Sequence, residues 1–205
     1  RHTVGEDFAR NGDLTVFAPC TVYTDTKRKI PFLVELSNVP FKQQEQALYY
    51  IADRLPRRDG IKLDARGNGQ YLAEQAMYRY GAEVEQVMLS TAYYRENMPR
   101  FKSAFEDDEL QIPKNEDVIN DFSAIQIIRG VPSIDDSRTK GKDGNNRHGD
   151  SAIAIFLAYL ASKEDCRRYE LHRIKTDSQR DDGDLDIKRQ IKLTRGLKTM
   201  RGGML

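Results

Sequence analysis

The hydrophobic pattern of this chain changes near residue 40, and that change constrains the fold more than any other feature. Before it, three β-rich runs occur at Thr3–Phe8, Leu14–Tyr23 and Ile30–Leu36, joined by short polar turns. The first of these joins contains Asn11-Gly12, a dipeptide that favours a tight hairpin. We therefore expect three adjacent strands in an antiparallel meander.

Helical and strand-like segments alternate after residue 40. The spacing of apolar residues predicts helices over Phe41–Leu55, Gln70–Tyr80 and Thr91–Phe105, with short strands at Ile61–Leu63 and Val84–Leu89 between them. This alternation indicates crossover connections between parallel strands. The expected fold class is therefore α/β: a mixed sheet with an antiparallel meander followed by parallel crossover strands, flanked by helices.

The rest of the chain divides into an apolar helix and a polar extension. Phe122–Ile128 is strand-like, Ser133–Gly149 is a polar loop, and Ser151–Leu160 is a strongly apolar helix. From Lys188 onward the chain has six basic and no acidic side chains. We predict one folded domain over residues 1–162 and a polar extension with a basic C-terminal tail over residues 163–205.

Composition excludes some functional classes. The chain has 33 basic and 32 acidic residues, so its net charge of +1 does not itself indicate a nucleic-acid partner. The longest apolar run, Ala152–Ala161, is too short to span a bilayer, and no signal peptide opens the sequence. Cys20 and Cys166 lack metal-ligand spacing and are interpreted as free thiols of a reducing compartment. We expect no membrane association.

Three aspartates stand where the predicted elements end or begin. Asp7 ends the first strand, Asp64 ends the strand after the first helix, and Asp150 precedes the apolar helix. Neighbouring strands of an open sheet bring their ends to one edge, where a helix packed across them would add the third carboxylate. Carboxylates without histidine or cysteine favour a hard ion such as Mg²⁺ or Mn²⁺. Two such ions about 4 Å apart activate water and stabilise the leaving oxygen of a phosphodiester.

Each acid also has a simpler interpretation. Asp150 suits the N-cap of a helix, and Asp7 and Asp64 precede turns that they could organise. Asp13 begins the second strand, where a turn role competes with a place near the site. Glu6 is expected to point to the face of the sheet opposite to Asp7. The joint placement of the three aspartates carries the prediction, and no single one does.

The motifs around these aspartates resemble those of the nuclease domain of tailed-phage terminase large subunits, particularly the Mu-like branch, which has the RNase H-like fold. Gly5–Asp13 (GEDFARNGD) matches the family's Gly-x-Asp-x-x-x-x-Gly-Asp segment. Asp64–Gly69 matches its Asp-x-x-Gly-x-Gly loop, and His148–Asp150 matches its His-Gly-Asp segment before an alanine-rich helix. The resemblance covers residues 1–162 and implies that the three aspartates are catalytic ligands of two Mg²⁺ or Mn²⁺ ions.

This resemblance implies an endonuclease that cuts double-stranded phage DNA during genome packaging, in the cytoplasm of the bacterial host. Terminase large subunits also carry an ATPase motor, but no Gly-x-x-x-x-Gly-Lys-Ser/Thr motif occurs here. We expect the motor upstream of Arg1 in the parent protein, and the alternative is a resemblance to a free-standing relative. The terminase small subunit and the portal are expected partners. The alternatives are another RNase H-like nuclease, such as a resolvase or integrase-type enzyme, and a non-catalytic DNA- or protein-binding module of the same fold.

Further residues are candidates for supporting roles. His148 would assist proton transfer or hold its loop through a hydrogen bond, and Asp13 would be an auxiliary acid. Basic residues near the aspartates and in the tail are candidates for contacts with DNA phosphates, each with solvated surface charge as its alternative. They are Arg10, Arg66, Arg147, Lys188, Arg189 and Lys192.

Overall fold

The computed structural model describes residues 1–9, 13–24, 26–134, 139–142, 144 and 146–164. The helices within these ranges are α1 (Phe41–Ala52), α2 (Gly69–Tyr80), α3 (Thr91–Glu106), α4 (Glu116–Phe122) and α5 (Asp150–Lys163), and a 3₁₀ turn occupies Gly81–Glu83. The strands are β1 (His2–Asp7), β2 (Leu14–Thr24), β3 (Lys27–Lys29), β4 (Val34–Ser37), β5 (Arg58–Asp64), β6 (Val84–Val87), β7 (Leu110–Gln111), β8 (Ile125–Ile128), β9 (Val131–Ile134), β10 (Thr139–Lys140) and β11 (Asn146–Arg147).

The central sheet is mixed, with the strand order β6-β5-β1-β2-β3-β7 and with β4 also paired to β2. β2 is antiparallel to β1, β3 and β4, whereas β1, β5 and β6 run parallel to one another. The parallel strands are joined through α1 and α2, as the change of hydrophobic period predicts. The expected α/β class, a meander followed by parallel crossover strands, is confirmed.

The third strand is displaced from its predicted position and divided in two. β3 pairs with the far end of β2, and β4 pairs with Leu14–Phe17 at its start. Pro31 lies in the interval between β3 and β4, inside the predicted strand Ile30–Leu36. Proline has no N–H to donate, so it interrupts the ladder at this point. The meander is correct, but the predicted bounds of its third strand are wrong.

Apolar layers cover both faces of the sheet. Residues of α1 and α2, such as Leu48 and Leu72, pack over one face with Val4 and Leu63. The opposite face is covered by α5, which packs with α3 and α4 in a second cluster. Every residue of α5 from Asp150 to Ser162 is buried, so its apolar run is a core helix. In the described ranges, no helix is both long and apolar enough to cross a membrane.

The segment between α3 and α5 contains more regular structure than its polar sequence predicts. Phe122 closes α4, so the strand predicted from this residue begins only at Ile125. β8 and β9 form a hairpin whose two-residue turn, Arg129-Gly130, has positive φ at both positions, as a tight hairpin of this twist requires. A further short hairpin, β10–β11, lies within the predicted loop Ser133–Gly149.

Candidate active site

Asp7 and Asp64 end two neighbouring parallel strands. The register pairs Glu6 of β1 with Leu63 of β5, so the next residue on each strand is an aspartate. Both carboxylates are buried, and alternation along the strands places them on the same face of the sheet. Thr3 identifies this face as the one covered by α5, because its hydroxyl donates to the Ala158 carbonyl at 2.9 Å. The structure therefore brings these two predicted ligands together.

Helix α5 brings Asp150 to the level of Asp7. A Cβ on Gly5 would lie 2.1 Å from the Ala154 carbonyl oxygen, so the helix and β1 touch backbone to backbone at this glycine. Thr3 contacts Ala158, whereas Gly5 lies against both Ala158 and Ala154, so α5 runs antiparallel to β1. Four helical residues and two strand residues both advance about 6 Å, so one further step places Asp7 beside the first turn of α5, where the charge of Asp150 raises the pKa of Asp7.

The N-cap interpretation of Asp150 is wrong. The residue at the N-cap of α5 is Gly149, in the left-handed region with φ 77°, and no side chain caps the helix. Instead, Asp150 Oδ2 accepts a hydrogen bond from the His148 backbone N–H at 3.0 Å. Asp150 is thus the first residue of the helix, and its carboxylate is held by the preceding loop.

The Asp7 carboxylate is buried and is repelled by the other two proposed ligands. Burial raises the pKa of Asp7 well above its usual value, and the charges of Asp150 and Asp64 raise it further, while Arg66 opposes them. Burial also raises the pKa of Asp150 to about 6, with repulsion from Asp121 and Asp13 adding to the effect. A divalent cation would relieve this repulsion, and oxygen donors suit a hard ion.

In the structure, the three carboxylates do not converge on a single ion position. Among the residues that the structure describes, no group of three or more His, Cys, Asp or Glu side chains converges as a metal site. Arg66 engages both Asp64 oxygens, with Nε at 3.0 Å from Oδ1 and 3.1 Å from Oδ2, and Nη2 at 2.8 Å from Oδ2. The chemistry of the donors therefore fits a divalent ion, provided that Asp64 exchanges its arginine partner for the ion.

Arg147 is not a surface residue, contrary to the prediction that it contacts DNA phosphates. Its side chain is 2% exposed, and its guanidinium lies between the carboxylates of Asp121 and Glu35. The hydrogen bonds run from Nε to Asp121 Oδ1 (3.0 Å), Nη2 to Asp121 Oδ2 (2.8 Å), Nη1 to Glu35 Oε2 (3.1 Å) and Nη2 to Glu35 Oε1 (2.7 Å). A charge this fully paired and buried has a structural role, which corrects the prediction.

The structure describes only two of the remaining candidates, His148 and Asp13. His148 is half-buried, and its Nε2 has no hydrogen-bond partner among the described residues. Asp13 directly precedes β2, near enough to Asp150 to raise its pKa. Arg10, the Asn11-Gly12 dipeptide predicted to form a turn, and the tail with Lys188, Arg189 and Lys192 lie outside the described residues. Their proposed roles stay predictions.

Three further acids matter that sequence reasoning passed over or left without a role. Glu6 lies on the opposite face of the sheet, as predicted, and is fully buried with neither carboxylate oxygen hydrogen-bonded among the described residues. Burial and the charge of Asp64 raise its pKa well above the usual value. Glu35 and Asp121 hold Arg147, but no local motif marks either residue.

Curated relatives of this chain come from Mu-like phages. The Mu-like prophage FluMu protein gp28 of Haemophilus influenzae is 49% identical over 163 residues. The probable terminase large subunit gp28 of Escherichia phage Mu is 44% identical over 164 residues. The alignments cover 79% of this chain but 32% and 30% of the relatives, so the chain spans about a third of their length. No family model matches the chain.

Similar solved structures are nuclease domains of large terminases. The large terminase nuclease of thermophilic phage G20c, with bound magnesium, superposes with a TM-score of 0.59 at 17% identity over 78% of this chain and 80% of that one. The nuclease domain of the Thermus phage P74-26 large terminase gives 0.55 at 14% identity, covering 77% of each chain. At such low identity the likeness concerns the fold, and it confirms the RNase H-like architecture.

Proposed function

We propose that this chain is a metal-dependent DNA endonuclease of phage genome packaging. It is homologous to a segment that makes up about a third of the length of its Mu-like relatives, and it has the fold of terminase nuclease domains. One observation carries the proposal. Asp7 and Asp64 end adjacent parallel strands on one face of the sheet, and α5 brings Asp150 to the same end.

The proposed cofactors are two Mg²⁺ or Mn²⁺ ions held by the three aspartates. The G20c nuclease was solved with bound magnesium, zinc and cobalt, so a related fold accepts divalent ions. Bound ions would supply the positive charge that activates water and stabilises the leaving oxygen of a phosphodiester. Asp7 and Asp64 would hold them from rigid strands, and Asp150 would hold them from the first turn of a buried helix.

Other residues of the chain would serve DNA binding and proton transfer. Arg66 is 46% exposed in its side chain, so a guanidinium released from Asp64 would stand at the edge of the site, where DNA phosphate is a suitable partner. Asp13 would add negative charge beside Asp150. His148 would accept or donate a proton at its Nε2, which no other described residue engages.

The proposed partners follow from the relatives. The aligned region is about a third of each curated relative, and about 38% of the large terminase of phage D6E, which was solved with ATP-γ-S. We therefore propose that the parent protein carries an ATPase motor beside this domain. Double-stranded DNA would be the substrate, the small subunit and portal would be partners, and the cytoplasm of the bacterial host would be the location.

Plasmid cleavage tests the proposal. The chain should nick and linearise supercoiled plasmid with Mg²⁺ or Mn²⁺ and should be inactive in EDTA. Asp7→Asn and Asp64→Asn should each abolish cleavage while the fold persists, because an amide cannot supply the charge that the ion requires. Asp108→Asn is the matched control, since Asp108 is an exposed aspartate at the end of α3 and asparagine tolerates its positive φ.

Asp150 is tested separately. Asp150→Ser should also abolish cleavage, because a hydroxyl cannot supply the negative charge that the ion requires. Wild-type rates in Asp7→Asn or Asp64→Asn at normal stability would remove that residue from the site. Metal binding and DNA binding without any cleavage by the wild-type chain would instead favour a non-catalytic module of the same fold.

A further inference from the structure

Three buried residues, Arg147, Asp121 and Ser151, form one cluster with the partly exposed Glu35, here called the Arg147 clamp. Besides its bonds to the two carboxylates, Arg147 Nη2 donates to Ser151 Oγ at 2.8 Å. The Ser151 hydroxyl donates to Glu35 Oε1 at 3.1 Å, and its backbone N–H donates to Asp121 Oδ2 at 3.1 Å. The clamp therefore joins β4, α4 and β11 to the first turn of α5.

Asp150 lies in sequence between two members of the clamp, Arg147 and Ser151. Hydrogen bonds fix the Arg147 side chain on one side of Asp150, and the backbone N–H and hydroxyl of Ser151 on the other. Only His148 and Gly149 separate Arg147 from Asp150, and the His148 N–H binds the Asp150 carboxylate. The loop that orients Asp150 is thus fixed at both ends by a single guanidinium and its partners.

Ionic clusters of this kind do not stabilise a fold more than apolar packing of the same volume. Their rigidity has another use, because groups that hold a metal ligand in place strongly affect the affinity for the metal. The other end of α5 offers a comparison. Arg28 is 3% exposed there, donates to Ser162 Oγ at 2.6 Å and pairs with Glu109. The chain thus anchors both ends of α5 with a buried arginine, a serine and a carboxylate, but only one end carries a proposed ligand.

We propose that the Arg147 clamp is a positioning device for Asp150, setting the place of its carboxylate and through it the affinity of the site for divalent ions. The inference rests on the proposed function. Arg147, Glu35 and Asp121 do not touch the ions or DNA. They act through the loop and the first turn of α5, so their effect is on ion affinity as well as on stability.

Calorimetric titration of Mn²⁺ into the metal-free chain, with urea unfolding of the same samples, tests the proposal. Arg147→Lys keeps the charge but loses the two bidentate pairs, and Glu35→Gln removes only one carboxylate charge. Each should raise the Mn²⁺ dissociation constant by about tenfold or more, the range seen for groups that orient metal ligands. Arg28→Lys, the matched control, should lose comparable stability and leave the dissociation constant within about twofold.

The outcomes separate this proposal from the proposed function. The positioning role would be overturned if the Mn²⁺ dissociation constant rose equally in the clamp variants and in Arg28→Lys, or if it did not change in Glu35→Gln. In that case Asp150→Asn would still weaken Mn²⁺ binding, and the proposed function would stand. Failure of the wild-type chain to bind Mn²⁺ or to cut DNA would overturn the proposed function itself. If Arg147→Lys does not fold, Glu35→Gln decides, because Glu35 is 29% exposed and glutamine preserves its shape.

Discussion

Replacing Arg66 with glutamine should change ion binding and DNA binding in opposite directions. In the structure, Arg66 donates to both Asp64 oxygens at 2.8–3.1 Å, and its backbone N–H donates to Oδ1 at 3.0 Å. The guanidinium therefore competes with a divalent ion for this carboxylate. Glutamine removes the charge and the bidentate fork while leaving the backbone hydrogen bond of the turn in place.

The expected change in Mn²⁺ affinity follows from the solvent exposure of the Arg66–Asp64 ion pair. The Arg66 side chain is 46% exposed and that of Asp64 is 5% exposed, so solvent screens one partner. Ion pairs of this kind contribute up to about 1 kcal/mol. Because 1.4 kcal/mol corresponds to a factor of ten in a binding constant, removal of the competing arginine should tighten Mn²⁺ binding by about fivefold.

Titration calorimetry with Mn²⁺ and a DNA-binding curve at fixed salt measure the two effects. Arg66→Gln should lower the Mn²⁺ dissociation constant by about fivefold and weaken DNA binding through a lost phosphate contact. Arg79→Gln is the control, because the Arg79 side chain is as exposed as that of Arg66 (47% against 46%) and pairs with Asp53, away from the site. Unchanged or weaker Mn²⁺ binding in a normally folded Arg66→Gln chain would refute the competition argument.

Three further changes test other parts of the molecule. Burial raises the pKa of Asp150 to about 6 from 3.8, so ionisation destabilises the metal-free fold as pH rises through this window. In urea unfolding, Asp150→Asn should therefore gain about 1 kcal/mol over the wild type between pH 5 and pH 7.5, and a constant difference would contradict the shift. Gly5→Ala should lower the unfolding free energy by about 3 kcal/mol or more, because its Cβ meets the Ala154 carbonyl oxygen at 2.1 Å; a normal melting temperature would argue against that contact. Truncation after Asp186 should weaken DNA binding and flatten its salt dependence, and coincident salt titrations of both chains would exclude phosphate contacts by the tail.

Local pattern was sufficient for the type and order of most elements. The alternating β1 and β2, the amphipathic α1, α2 and α3, and the apolar α5 all match the predicted elements to within a few residues. Where the predicted bounds were wrong, strand pairing and turn geometry decided. Pro31 interrupts a ladder whose position depends on β2, and the β8–β9 hairpin depends on a two-residue turn at positive φ. Neither effect can be predicted from the spacing of hydrophobic residues along the sequence.

The sequence by itself determined the ends of the elements that carry Asp7, Asp64 and Asp150, because strand ends and helix starts are set by local residue pattern. Only the tertiary structure decided what these and their neighbouring charges do. Arg147 lies three residues before a proposed ligand, yet one of its partners, Glu35, lies 112 residues earlier in the chain, and burial between two carboxylates makes it structural. Asp150 likewise resembles a helix cap in sequence, but the left-handed Gly149 and the His148 N–H turn its carboxylate back toward the loop. The energy of a charge depends on its partners and its exposure, and both arise when the chain folds.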